Sequence, residues 1–259
     1  MAARLQLSPG HAVAALLAAA ILGTLVAVAW VAGGLTGLSE WDWRAVRFTL
    51  WQAALSATIS AVLAVPVARA LARRRFRGRG LLVTLLGAPF ILPVIVAIMG
   101  LIAVFGRNGF LNQGLGAMGL PEFSVYGWQG VILAHVFFNL PLSVRLLLQG
   151  WQAIPSERFR LAASLNFAPG DIARHLERPM LRATLPGVWL AVFLVCLTSF
   201  TVALALGGGP RATTVELAIY QAFRFDFDLG RAATLGLLQI ALCIGALVAA
   251  RWITIPASF

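Results

Sequence analysis

The sequence predicts an all-α integral membrane protein of about six spanning helices, with both termini on the cytoplasmic side. Two observations carry the fold class and a third the orientation. Only 11% of the 259 residues are charged and 60% are hydrophobic. A soluble domain carries about a quarter charged residues, so this chain cannot clothe a soluble surface, and a soluble enzyme is excluded. The apolar residues also come in unbroken runs, not in stripes of helical or strand period. A run of ~18 or more reads as a span, because ~20 residues of helix cross ~30 Å of hydrocarbon. Lipid requires each backbone amide to be satisfied within its segment, which makes those spans helices. Finally, all 20 Lys-or-Arg positions are arginine, and they are unevenly placed.

The expected spans follow in order. The first is Ala12 to Gly33, behind a head with one charge, Arg4. Its apolar core exceeds the ~7–15 residues of a signal peptide and more spans follow, so an uncleaved helix is expected. The second is Thr49 to Leu71, containing Pro66, and the third is Leu81 to Phe105, containing Pro89 and Pro93. A Gly- and Asn-rich loop (106–127) leads to the fourth span, Trp128 to Leu148, which contains Pro141. A polar stretch, 149–185, precedes the fifth span, Pro186 to Leu206. A second polar region from Gly207-Gly208-Gly209-Pro210 to Gly230 precedes the sixth, Ala232 to Trp252. The prolines within spans are read as kinks. The organisation expected is residues 1–48 as first helix and external loop, 49–253 as the transmembrane domain, and 254–259 as a short tail.

Orientation follows from the arginines. Arg4, Arg69, Arg73, Arg74, Arg75, Arg77, Arg79, Arg145, Arg158, Arg160, Arg174, Arg178, Arg182 and Arg251 fall on one side, fourteen in all. Six fall on the other: Arg44, Arg47, Arg107, Arg211, Arg224 and Arg231. The richer side is expected to be cytoplasmic. The net charge of +11 therefore reflects topology and lipid headgroups, with no nucleic acid as partner. Trp41, Trp43, Trp51 and Trp128 suit interfacial anchors at outer span ends. Cys196 and Cys243 lie in apolar runs and read as packing residues. No metal-ligand cluster and no nucleophile–base set is present. Gly207 to Gly209 lack the Lys and Ser/Thr of a phosphate-binding loop, so no ATP site and no bound cofactor is expected.

The stretch from Ile154 to Pro179 is the most informative. Ser156 suits an N-cap, with Glu157 in the first turn. Residues 157–165 are expected to form a short helix, ended by Asn166 in the left-handed conformation. Pro169 suits the first turn of a second helix, with Asp171 near its positive end, and that helix is expected to stop by Arg178 because Pro179 follows. The spacing resembles the cytoplasmic coupling loop of ABC importer permeases, whose pattern is Glu-Ala-Ala, three residues, then Gly. Here Arg160-Leu161-Ala162 stands for Glu-Ala-Ala, Asn166 for the Gly, and Pro179 for the Pro beyond. The plain alternative is a basic amphipathic loop on anionic headgroups.

Three further stretches narrow the resemblance: Ala88 to Val94; His135-Val136-Phe137-Phe138-Asn139-Leu140-Pro141 with Arg145 to Gln149; and Leu206 to Pro210 followed by Ala212 to Gln221. Together they resemble the first half of the thiamine and thiamine pyrophosphate permeases. The resemblance implies a type-1 ABC importer permease of the bacterial inner membrane, moving its solute by alternating access. It implies three partners beside membrane lipid: an ABC ATPase subunit that uses the ATP, a periplasmic or extracellular solute-binding protein, and a second permease half or second copy. In that family two homologous halves usually share one chain, so this chain would be a truncated product, a split subunit or a self-pairing one. It also implies that Glu157, Arg160, Leu161, Ala162, Asn166, Gly170, Arg174 and Pro179 dock on the ATPase. His135, Asn139 and Ser143 share one face of the fourth helix, and such a stripe either lines the pathway or bonds neighbouring helices. For Thr198, Ser199 and Thr201 bonding to their own backbone is expected, and for Gln239, packing. Other cargoes, ferric iron or molybdate, keep the mechanism. A secondary transporter or channel would bury acidic residues at mid-span, whereas all nine acidic residues here are placed in loops or at span edges.

Overall fold

The computed structural model describes residues 9–31, 33–209 and 212–253. The expectations for Arg4, Pro210, Arg211 and the 254–259 tail fall outside them. The described residues form helices and turns, with six helical segments long and apolar enough to cross a membrane. In chain order they are α1 (Pro9–Val31), α2 (Glu40–Arg73), α3 (Arg79–Leu85), α4 (Val94–Phe105), α5 (Phe110–Ala117), α6 (Trp128–Gln152), α7 (Ser156–Ser164), α8 (Pro169–Ile172), α9 (Arg178–Leu197), α10 (Thr201–Leu206), α11 (Val215–Arg224) and α12 (Leu229–Ile253).

The bundle is built on α2, α6 and α9. In lipid, helices gain little from apolar burial against each other and associate through close packing of small residues. Helix α2 supplies them: Ala53, Ala57, Ala61, Ala64 and Ala68 are all buried. One part of this stripe packs on Val192, Cys196 and Leu197 of α9. The other packs on Val144, Leu147 and Trp151 of α6 and Met180 and Val188 of α9. Where α6 meets α9, a Cβ on Gly150 would stand 2.9 Å from Met180 Sδ and 3.1 Å from Thr184 Cγ2, so glycine sets that approach. Helix α12 packs on α9 and α11, and α1 rests on α12.

Several expectations change. Helix α2 starts at Glu40 and not at Thr49, because Ser39 and Asp42 form a capping box: Ser39 Oγ accepts from Asp42 N, and Ser39 N donates to Asp42 Oδ2 at 2.8 Å. Trp41 and Trp43 therefore sit in its first turns, while Trp51 meets Trp128 edge-on at 5.6 Å. The third span is broken, not merely kinked. Residues 86–93 interrupt it, since Pro89 and Pro93 each remove a backbone donor. Pro66 and Pro141 lie inside continuous helices. The Gly- and Asn-rich loop contains α5, and the polar region after Gly209 contains α11.

The fifth span is displaced along the chain. It runs from Pro169 to Leu197 and ends there, not at Leu206. Pro179 does not stop it. Residues 173–177 form a π turn in which Arg178 N donates to Ala173 O, and the wider turn accommodates the ring that a regular helix would reject.

Candidate functional site

The functional geometry has two parts, one at each kind of helix interruption. The first is a cavity of about 320 Å³ lined by the break before α4 with its first residue (Pro89, Leu92, Val94), one face of α6 (His135, Phe138, Asn139) and the junction of α9 and α10 (Val195 and Thr198 to Val202). Irregular backbone at membrane depth persists only where protein or a cavity satisfies it. Here the freed carbonyls are met by side chains. Gln52 Nε2 of α2 donates to Cys196 O at 2.9 Å, and Gln239 Nε2 of α12 donates to Leu197 O at 2.9 Å. Gln239 thus holds a helix end, a more specific role than packing, and Gln52 is a residue that sequence reasoning missed. Its signal was the same: an amide inside an apolar run.

The α6 stripe is buried in protein, as a polar face inside a span should be. Asn139 Nδ2 donates to His135 O at 2.8 Å and contacts Cys196 Sγ at 3.3 Å. Ser143 Oγ donates to Asn139 O at 2.9 Å and lies outside the cavity. His135 is 3% exposed, lines the cavity, and has neither ring nitrogen hydrogen-bonded among the described residues. Thr198 Oγ1 bonds back to Leu194 O at 3.2 Å, as expected. Thr198, Ser199 and Thr201 nevertheless line the cavity with Phe138 and Phe200. The lining sets an imidazole, an amide and hydroxyls among apolar side chains.

The second part is the segment 154–179. Helix α7 begins one residue earlier than expected: Pro155 takes the cap position, and Ser156 Oγ donates to Glu157 Oε1 at 3.1 Å. Asn166 adopts φ +56°, the expected left-handed stop. Pro169 opens α8, and Ala168 N donates to Asp171 Oδ2 at 3.0 Å. Ala162 is buried, whereas Arg160, Gly170, Arg174 and Pro179 are exposed. Glu157 and Arg160 form an exposed pair at 3.6 Å. Leu161 and Leu165, one turn apart, are 60% and 59% exposed and present an apolar ridge.

The segment is fastened to α2 by a carboxylate placed in a polar loop by sequence. Glu177 lies in the π turn and is 2% exposed. Its Oε2 accepts from Arg69 Nε at 2.8 Å, and its Oε1 lies 3.3 Å from Arg73 Nε. The Arg73 guanidinium also stands 5.7 Å from the Phe159 ring centroid of α7. At the opposite end of α2, Asp42 is buried and binds Arg231 of α12 through Nη2 at 2.7 Å and Nε at 3.0 Å. Asp42 and Glu177 lie at span edges, as expected, and the structure adds that both are buried. Both are paired at the ends of the bundle, away from mid-span.

The chain is 46% identical over 244 residues to the thiamine transport system permease protein ThiP of Escherichia coli strain K12, an alignment covering 92% of this chain and 46% of that protein. The chain is homologous to about half of a thiamine permease. It spans about half the length of the curated relatives it matches first. The permease homologue is also 29% identical over 182 residues to the molybdenum transport system permease protein ModB of Azotobacter vinelandii, covering 70% of this chain and 80% of that one. No protein-family model matches. Its fold is shared with a crystal structure of the bacterial alginate ABC transporter in complex with alginate pentasaccharide-bound periplasmic protein. There the TM-score is 0.68 at 16% identity, over 82% of this chain and 77% of the other. The permease homologue is a multi-pass protein of the inner membrane.

Proposed function

We propose that this chain is a membrane-spanning permease component of an ABC importer and that its cargo is thiamine. The observation that carries the reading is the 46% identity to a thiamine permease over 92% of the chain. In this reading residues 49–253 act as the transmembrane domain, and the arginine-rich end faces the cytoplasm with both termini. Residues 155–179 dock on a partner ATPase, which spends the ATP. The ridge of Leu161 and Leu165 enters the ATPase, with Arg160 and Arg174 on the rim and Asn166 setting the bend between the helices. The π turn hands the motion to α9, and α9 carries it to the cavity. A periplasmic solute-binding protein delivers cargo to the other end, and a second permease half or second copy completes the pathway.

The cavity suits thiamine better than its pyrophosphate. No arginine lines it among the described residues, so a pyrophosphate would bring charges without partners. The aminopyrimidine can bond to His135 and Asn139, and the thiazolium cation can rest on Phe138 or Phe200. Ser143 supports Asn139 from below without touching cargo.

The test is transport by the assembled system. The chain, taken from its native membrane in mild detergent, should carry a nucleotide-binding subunit with it. Vesicles holding that assembly and its binding protein should accumulate labelled thiamine only with ATP on the ATPase side. Leu161→Asp with Leu165→Asp should abolish both ATPase retention and accumulation while insertion is unchanged. Retention of the ATPase by that variant rules out the docking ridge. Accumulation of molybdate in place of thiamine overturns the cargo.

A further inference from the structure

A trough of about 560 Å³ runs along the outer surface of the bundle between α2 and α9. Its floor is apolar, made by Val62 of α2 and Leu181 and Leu185 of α9, and it continues past Pro186 and Trp189 into a second apolar trough of about 570 Å³ between α9 and α12. The polar groups of Trp189 and Thr58 inside are satisfied: Trp189 Nε1 donates to Thr58 Oγ1 at 2.9 Å, and Thr58 Oγ1 donates to Ala54 O at 2.7 Å. The mouth at the arginine-rich end is different. Arg178 and Arg182, one turn apart on α9, are exposed there, and no described carboxylate pairs with either. Glu177, their neighbour in sequence, is taken by Arg69 and Arg73. Two guanidiniums at the mouth of an apolar trough, on a helix long and apolar enough to cross a membrane, call for an anion joined to a long apolar body.

We propose that this trough binds an anionic phospholipid, with its phosphate on Arg178 and Arg182 and its acyl chains laid against Leu181, Leu185 and Trp189. A second copy of this chain does not suit the trough. Two copies related by an axis along the membrane normal would gather four guanidiniums at one level, with no acidic residue in either trough to offset them. An anionic headgroup supplies the missing charge.

The probe is phosphatidylglycerol against phosphatidylcholine, offered to the full chain in detergent and read by native mass spectrometry and thermal melting. Phosphatidylglycerol should be retained preferentially and raise the melting temperature. Arg178→Gln with Arg182→Gln should weaken retention about 30-fold, at roughly fivefold per surface arginine. The control variant Arg75→Gln with Arg77→Gln, in the basic loop, should change it little. Equal loss in both variants means general surface attraction and overturns the site, as does equal retention of the two lipids. Competition by millimolar inorganic phosphate would identify a free-anion site and overturn the lipid. Brominated phosphatidylglycerol should quench fluorescence that Trp189→Phe removes. Absence of that quenching in the complete transporter would mean that a partner chain fills the trough.

Discussion

Glu177 shows how much one residue can depend on where its neighbours point. Its carboxylate is out of water, while the side chains of Arg69 and Arg73 remain 47% and 33% exposed. Removing the two sides of this cluster therefore has unequal costs. Glu177→Ala leaves guanidiniums that can turn to solvent and lipid phosphate, so the loss is that of hydrogen bonds to a charged group, about 1.5–3 kcal/mol. Arg69→Ala with Arg73→Ala strands a buried carboxylate, which costs about 3–5 kcal/mol. The double arginine variant should melt well below Glu177→Ala in the same detergent. If Glu177→Ala melts lower, the carboxylate stabilises by packing and not by charge pairing. The cation–π contact of Arg73 with Phe159 is weak at this exposure, about 0.5–1 kcal/mol, and acts to orient α7 more than to stabilise it.

Like α5, α11 was concealed from hydropathy, because its polar residues dilute an apolar face that packs on α2 and α12. Thr214 caps it, with Oγ1 accepting from Leu217 N. Glu216 in its first turn is half-buried, and burial pushes its pKa above the ordinary 4.5. The helix dipole favours the carboxylate by only about 0.3–1 kcal/mol, and desolvation outweighs it. A group whose folded pKa is raised holds its proton more tightly in the folded state. Its stabilisation is complete below pH 4.5 and is lost as pH rises through the folded pKa. Glu216→Gln should therefore raise the melting temperature at pH 7 and leave it unchanged near pH 4; a gain of equal size at both would mean the carboxylate is not the cause. The bend at Asn166 and the starts of α6 at Trp128 and α8 at Pro169 were legible because capping and turn residues act locally. The early start of α2 was equally written in Ser39 and Asp42, but charged and aromatic neighbours gave that stretch the look of a loop. The break at 86–93 was legible only as kinks at Pro89 and Pro93, and the break at 198–200 was not legible, since Gln52 and Gln239 stabilise it from helices far away in sequence. The cavity could not be read either, because it exists only where both breaks meet α6. His135 and Asn139 were recognisable as a stripe, and Ser143 was separated from them only by the geometry.

Across the whole molecule, the bundle is fastened by charge at its two ends and packed by small residues between them. Asp42 and Arg231, 189 positions apart, join the starts of α2 and α12, with Asp226 on Arg231 Nη1 at 2.9 Å. Helix α12 is what this pair secures, and α12 in turn supports α1, α11 and, through Gln239, the free end of α9. The Asp42–Arg231 pair therefore bears on the cavity without touching it. Arg231→Gln leaves Asp42 charged at 1% exposure, at a cost of about 3–5 kcal/mol. Adding Asp42→Asn removes the stranded charge, so the double variant should melt above Arg231→Gln alone and closer to the unaltered chain. Because α12 touches so much of the bundle, each variant should still unfold in a single transition. A double variant no more stable than Arg231→Gln would mean that α12 is held by packing alone. A separate early transition would mean that α12 and α1 come away before the core formed by α2, α6 and α9.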